Sequence, residues 1–160
     1  MELYLIRHGI AAERGTYLND EDRPLVKKGE KKTRQLGQYL LVKGLRFDSI
    51  LTSPLLRARQ TAQILQEEGL STNVQIFPPL APNGNIQDLL NWHDNNKVNY
   101  LALVGHQPDL GNWAEILVWG NFSEKLIVKK AGVIGLKFPE RSTPKGNSEL
   151  FLLTSPKWII

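Results

Sequence analysis

Short apolar segments alternate along the chain with longer segments in which apolar residues recur every three or four positions. The apolar segments predict β-strands, because a strand buried on both faces has little need for polar residues. The longer segments have the periodicity of amphipathic helices. The pattern predicts strands at 3–6, 47–51, 74–77, 100–104, 133–138 and 150–154, and helices at 28–43, 54–68, 86–93 and 108–119.

Glycine and proline residues define the ends of the first two predicted helices. Gly44 and Gly69 follow them, at the position where a left-handed residue commonly ends a helix. Pro54 falls in the predicted first turn of the second helix, where its missing N–H costs no hydrogen bond. These signals separate the helices from the strands that flank them.

Strands that alternate with helices are typical of an α/β protein with a mostly parallel sheet. The last two strands follow one another without a helix, which predicts antiparallel strands at one edge near the C-terminus. We therefore expect a three-layer sandwich, and a length of 160 residues suits a single domain over 1–160.

Arginine and histidine residues follow three of the predicted strands. Arg7 and His8 come after the first strand, and Arg57 lies one helical turn beyond the second. His106 follows the fourth strand. Because ligands of open parallel sheets bind beyond the carboxyl ends of the strands, these side chains are expected to converge if the strands are neighbours.

This set of side chains suits phosphoryl transfer. The guanidinium groups of Arg7 and Arg57 stay charged and match the geometry of phosphate oxygens. A neutral imidazole, with an ordinary pKa of about 6.5, is a competent nucleophile near neutral pH, and a second, protonated imidazole would donate to a phosphate oxygen. Gly9 is expected to let the backbone approach the phosphate closely. No metal and no cofactor is predicted, since two histidines alone make a poor zinc site.

The composition excludes several other classes of protein. Hydrophobic residues are 41% and charged residues 22% of the chain, as in ordinary globular proteins, and the formal charge is +4. Basic residues are not interleaved with aromatic ones as in nucleic-acid surfaces, and no apolar run approaches the ~20 residues that span a bilayer. We expect no nucleic-acid or membrane partner. Without cysteine and without a secretory leader pattern, the expected location is cytoplasmic.

Five segments resemble, in their order along the chain, the histidine phosphatase superfamily, which is also called phosphoglycerate mutase-like. They include the Arg-His-Gly signature, the helix of the second arginine and the turn of the second histidine. The segments are 5–9, 23–25 with Gly29, 52–62, 80–85 and 105–108. The similarity is greatest to the short branch of protein-phosphohistidine phosphatases.

The resemblance implies a function for each of four residues. It implies that His8 is the nucleophile that becomes phosphorylated, and that Arg7 and Arg57 hold the phosphate. It implies that His106 is a further donor to the phosphate. The implied activity is dephosphorylation of phosphohistidine on a signalling protein.

The general acid is not evident in the sequence. Larger members of the family carry a carboxylate after the third strand, but residues 77–82 contain none. Asp20 and Asp22, in the loop after His8, are the candidates. A phosphohistidine leaves as imidazole and needs less protonation than an alcohol, so we predict that phosphoramidates are better substrates than alkyl phosphates.

Two other functions fit the same residues. One is a broad small-molecule phosphomonoesterase or a mutase-like enzyme that acts on a small phosphoester. The other is a non-catalytic module that binds phosphate or a phosphoprotein. The full set of two arginines and two histidines favours an enzyme over the second alternative.

Overall fold

A six-stranded sheet forms the middle of the protein. The computed structural model describes residues 1–160, and strand order across the sheet is β3-β2-β4-β1-β5-β6. The strands are β1 (Glu2–Arg7), β2 (Ser49–Thr52), β3 (Val74–Ile76), β4 (Tyr100–Gly105), β5 (Val133–Lys137) and β6 (Glu149–Thr154). Strands β1 to β4 are parallel, whereas β5 and β6 are antiparallel to their neighbours. The predicted α/β fold with antiparallel edge strands is confirmed.

Helices cover both faces of this sheet. They are α1 (Lys27–Val42), α2 (Leu56–Glu67), α3 (Ile86–Asn95) and α4 (Asp109–Trp119). Alternate residues of the central strands point to opposite faces: Leu3 and Leu5 of β1 pack in the core with α3 and α4, and Tyr4 and Ile6 pack with α1 and α2. The result is the expected three-layer sandwich. No helix is both long and apolar enough to cross a bilayer.

The start of α2 differs from the prediction. Pro54 was expected in the first helical turn, but the helix begins at Leu56 and its N-cap is Leu55. The reason is a local turn, in which the Leu55 N–H donates to the Ser53 hydroxyl at 3.2 Å. This turn keeps the Ser53 side chain at the sheet edge, where it contacts the residue that follows β4. The predicted glycine ends of α1 and α2 are confirmed, with Gly44 and Gly69 at φ of 82° and 90°.

The carboxyl ends of three parallel strands meet at one edge of the sheet. Strand β4 lies between β1 and β2, so the residues that follow all three strands are neighbours. The His8 N–H donates to the Gly105 carbonyl at 3.1 Å, and the Ser53 N–H donates to the Val104 carbonyl at 2.9 Å. These bonds extend the sheet by one residue on each side and fix the backbone at the predicted site.

Candidate active site

A cavity of about 740 Å³ opens at this edge of the sheet. All four predicted side chains line it, together with Asp20. The four are Arg7, His8, Arg57 and His106. Three are buried, and Arg7 is half-buried. The topology thus brings together residues from three separate parts of the chain, which the sequence analysis expected only if the strands were neighbours.

The His8 imidazole has a defined orientation. Its Nδ1 lies 2.7 Å from the carbonyl oxygen of Gly9, which can only accept a hydrogen bond. Nδ1 therefore carries the proton, and Nε2 keeps its lone pair. Burial lowers the pKa of His8, the Gly9 hydrogen bond raises it by less, and His106 and the two arginines lower it. The net pKa is about 2, so the ring is neutral across the physiological range.

His106 lies beside His8 on the neighbouring strand end. The two ring centroids are 5.1 Å apart, with the planes tilted by 54°. The Nε2 atom of His106 is 2.8 Å from the Ser53 hydroxyl, while Nδ1 has no hydrogen-bond partner. Burial, with smaller effects of Arg57 and Arg7, lowers its pKa to about 4. An anion in the cavity would oppose these effects and favour the protonated ring.

The two arginines are held by different parts of the structure. Arg7 Nη1 donates to the Val128 carbonyl at 2.9 Å, and Arg57 contacts Asp20 through Nη1 and Nη2. Burial lowers the pKa of each, and the mutual repulsion of cationic side chains contributes at both sites. Both Nε atoms lack a hydrogen-bond partner. Of these two guanidinium groups, both of which line the cavity, only that of Arg57 has a carboxylate partner, and this excess of positive charge is a feature of an anion site.

The structure distinguishes the two candidate acids. Asp20 lines the cavity and forms ion pairs with Arg23 at 2.8 Å and with Arg57 at 3.0 Å. Asp22 is exposed, is absent from the cavity lining and accepts a hydrogen bond only from Asn19. Arg23 and then Arg57 lower the pKa of Asp20, so its carboxyl group is ionised in the free protein.

Gly9 does not line the cavity, which differs from the expected phosphate contact. Its N–H donates to the Thr61 hydroxyl at 3.0 Å, and its carbonyl accepts from His8. A Cβ at this position would lie 2.5 Å from the Thr33 hydroxyl. Glycine is therefore required for close packing against α1, and its contribution to the site is to orient His8.

Sequence reasoning about strand ends missed several cationic residues at the cavity. Arg23 is buried and connects Asp20 to the Ala12 carbonyl, which it reaches at 2.6 Å. Arg14 and Lys130 also line the cavity. The only sequence signal for Arg23 was its place in the segment 23–25, which resembles the histidine phosphatase superfamily. The other two lie in loops whose path the hydrophobic pattern does not predict.

Comparison with known proteins identifies the family. Residues 3–84 match the sequence model of the histidine phosphatase superfamily (branch 1), and the chain belongs to this superfamily. The predicted resemblance, including that to the branch of phosphohistidine phosphatases typified by SixA, is confirmed. Family and fold together support a phosphohydrolase with a phosphohistidine-type mechanism.

Individual relatives agree with this assignment. The chain is 51% identical to an uncharacterized protein of Picosynechococcus sp., over 100% of this chain and 99% of the other. It is 30% identical to the phosphohistidine phosphatase SixA of Escherichia coli, over 69% of this chain and 70% of that protein. The structure of SixA complexed with tungstate superposes with a TM-score of 0.87 at 23% identity, over the full length of both chains. At this identity the structural match shows a shared fold.

Proposed function

We propose that this protein is a phosphatase that forms a covalent intermediate on His8 and dephosphorylates phosphohistidine on a signalling protein. The orientation of His8 carries this proposal. Its neutral ring holds an unprotonated Nε2 beside two arginines and a second histidine, with Nδ1 fixed by the Gly9 carbonyl. This is the arrangement that an imidazole nucleophile needs for in-line attack on phosphorus.

The reaction has two steps. In the first, His8 Nε2 attacks the phosphorus atom, the bond from phosphorus to the substrate nitrogen breaks, and the substrate imidazole leaves with a proton. In the second, water attacks the phosphohistidine, releasing inorganic phosphate and restoring neutral His8. Arg7 and Arg57 neutralise the charge on the transferring oxygens, where most of the catalytic effect is expected. The dianion also raises the pKa of His106, which then donates a further hydrogen bond.

We propose Asp20 as the general acid and general base. It pairs with Arg57, which is also a proposed phosphate ligand. A phosphate that binds Arg57 would compete with the carboxylate and add negative charge beside it, and both effects raise the pKa of Asp20. Asp20 could then protonate a leaving group and later deprotonate the attacking water. Asp22 is the weaker candidate for the general acid, because it lies outside the cavity.

The proposed substrate class rests on two observations. The chain is similar over two thirds of its length to a phosphohistidine phosphatase. Of the two candidate acids, only Asp20 lines the cavity, where it pairs with Arg57. Its carboxyl group is ionised in the free protein, and this favours substrates whose leaving group needs little protonation.

We further propose that residues 1–160 form one domain, which the two core clusters on a single sheet support.

The test uses His8→Ala, with His93→Ala as the matched control because His93 lies outside the cavity. Both variants and the wild type are assayed with p-nitrophenyl phosphate, a phosphohistidine peptide and a sugar phosphate. We expect His8→Ala to lose at least about a thousandfold in kcat, the scale of nucleophile removal, and His93→Ala to keep its activity. Because the P–N bond of phosphohistidine is labile in acid, the reaction is quenched in alkaline denaturant, and wild type should then show one added phosphoryl group on the peptide that contains His8 by mass spectrometry.

Two results would contradict the proposal. Equal rates of His8→Ala and wild type on every substrate would exclude the covalent mechanism. A clearly higher kcat/KM for the sugar phosphate than for the phosphohistidine peptide would exclude the proposed substrate class and favour a small-molecule phosphomonoesterase.

A further inference from the structure

A second groove adjoins the phosphate cavity. Its volume is about 480 Å³, and it shares Arg7, Ile10 and Lys130 with the cavity. Lys32, Lys129 and Lys157 complete its cationic lining, so five of the eight lining residues are positively charged. None of the eight is acidic. A ligand in the cavity that extends past Arg7 would enter this groove.

The lysines of this groove come from three distant parts of the chain. Lys32 lies on α1, Lys129 lies in the loop before β5, and Lys157 lies in the short 3-10 turn after β6. Lysine pairs in the sequence would ordinarily be spread over a solvated surface. The fold instead collects these side chains on one side of the phosphate cavity.

The groove has no compensating negative charge. The protein contains four ion pairs, and all of them are made by arginines. Burial lowers the pKa of Lys130, and Arg7 and Arg23 lower it further. No carboxylate contributes to that shift. The positive field of the cavity therefore continues into the groove and is available to an incoming anion.

We propose that this groove, which we call the lysine groove, binds an acidic peptide segment that flanks the phosphorylated residue of the protein substrate. This inference rests on the proposed function, because it assumes that the phosphoryl group comes from a protein. Carboxylates beside the phosphorylated residue would pair with Lys32, Lys129 and Lys157 while the phosphoryl group lies between Arg7 and Arg57. The groove would then select substrates by charge and speed their association.

The charge pattern favours a peptide over a nucleic acid. Base stacking on aromatic side chains is the usual companion of phosphate contacts in single-stranded nucleic-acid sites. No aromatic residue lines the lysine groove, whose apolar members are Ile10 and Pro156. The exposed Trp158 ring lies beside it, with its centroid 5.2 Å from Lys157 Nζ, but a single ring does not provide stacking for successive bases. Lysine ammonium groups act as flexible point charges, which suits carboxylates on an irregular segment.

The experiment compares two phosphohistidine peptides that differ only in the flanking residues, which are glutamates in one and glutamines in the other. The test variant is Lys32→Gln/Lys129→Gln/Lys157→Gln. The control is Lys97→Gln/Lys137→Gln/Lys145→Gln, which removes the same charge from exposed lysines outside both the groove and the cavity. Turnover of p-nitrophenyl phosphate is measured in parallel to monitor the phosphate cavity itself.

We expect wild type to prefer the acidic peptide by about tenfold or more in kcat/KM at low ionic strength, as electrostatic steering allows. The preference should fall as salt is added and should disappear in the test variant but not in the control. Equal kcat/KM for both peptides in wild type, with p-nitrophenyl phosphate still hydrolysed, would overturn this inference and leave the proposed function intact. Loss of the preference in both triple variants would also overturn it, because net charge would then explain the effect. Single-stranded RNA and anionic vesicles are also compared with the acidic peptide as inhibitors of p-nitrophenyl phosphate turnover. Inhibition as strong as that by the acidic peptide would overturn the inference, because the groove would then bind polyanions in general.

Discussion

The ion pair between Asp20 and Arg57 connects the proposed acid to the proposed phosphate ligand. Replacing the carboxylate by an amide in Asp20→Asn removes the proton donor and also the competitor for Arg57. We expect kcat/KM for an alkyl phosphate to fall by about 10²–10⁴-fold, the usual contribution of general acid–base catalysis. For a phosphohistidine peptide the loss should be much smaller, because imidazole leaves with little assistance. Steady-state kinetics on the two substrates measures the difference.

The same substitution at Asp22 provides the control. Asp22 lies two residues away in the same 3-10 turn but does not line the cavity. Asp22→Asn should therefore keep wild-type kinetics on both substrates. An equal loss on the alkyl phosphate in both variants, or no loss in either, would remove Asp20 from the mechanism. Isothermal titration with tungstate should also show tighter binding to Asp20→Asn, since the anion no longer displaces a carboxylate.

At the scale of single residues, the sequence predicted which residues form the site better than it predicted the orientation and protonation of their side chains. The hydrophobic pattern predicted that His8 and His106 each follow a buried strand, but their meeting also required β1 and β4 to be neighbours, which the structure shows and the pattern does not predict. The proton position on His8 depends on the path of the Gly9 carbonyl, which that pattern does not encode. The choice between Asp20 and Asp22 depends on the buried guanidinium of Arg23, whose position follows from the course of the loop over residues 11–25.

The loop between α4 and β5 supports Arg7 through a chain of hydrogen bonds. The buried carboxylate of Glu115 accepts from the backbone N–H groups of Ser123, Lys125 and Leu126. Burial raises the pKa of Glu115, but these backbone donors outweigh it and the net shift is downward. Farther along, the loop offers the Val128 carbonyl to Arg7. A carboxylate on α4 thus holds the segment that positions a proposed phosphate ligand.

Glu115→Gln tests this support. An amide has a single acceptor oxygen, so at least one backbone donor loses its partner, and we expect the free energy of unfolding to fall by about 1–3 kcal/mol. Because Arg7 then has a less rigid partner, kcat/KM for p-nitrophenyl phosphate should fall about tenfold. Denaturant titration and steady-state kinetics measure the two effects. Glu124→Gln, an exposed glutamate in the same loop, is the control. Identical stability and kinetics in the two variants would contradict the proposed support.

Secondary structure was predictable where periodicity was strong and less so at turns. Strands β1, β4 and β5 and helix α1 match their predicted bounds to within one residue, whereas β2 begins two residues later than predicted. The start of α2 was wrong by two residues, because the turn made by Ser53 and Leu55 overrides the preference of proline for a helix start. The loop over residues 120–132 has no periodicity, so its attachment to Glu115 could not be anticipated.

Burial of two imidazoles makes the stability of the whole protein dependent on pH. In the unfolded chain a histidine titrates near pH 6.5, whereas burial lowers the pKa of His106 to about 4 and that of His8 to about 2 in the folded protein. Between pH 6.5 and 4 the unfolded chain therefore binds more protons at these two sites than the folded protein does. The contribution of the two neutral histidines to the free energy of unfolding is fully present above pH 6.5. It is lost as the pH falls, by up to about 1.4 kcal/mol per pH unit for each histidine.

The pH dependence can be separated from other titrations with the variant His8→Asn/His106→Gln. Its free energy of unfolding, measured by denaturant titration from pH 7.5 down to about 4.5, should fall less steeply with pH than that of wild type. His93→Gln is the control, since it leaves both cavity imidazoles in place, although burial also lowers the pKa of His93. Carboxyl groups with lowered pKa values, such as Asp20, begin to contribute below about pH 5, but they are present in wild type and in both variants, so the comparison isolates the histidines. Parallel curves for the double variant and wild type would contradict the lowered pKa values of both imidazoles, and with them the conclusion that folding keeps these rings neutral below pH 6.5.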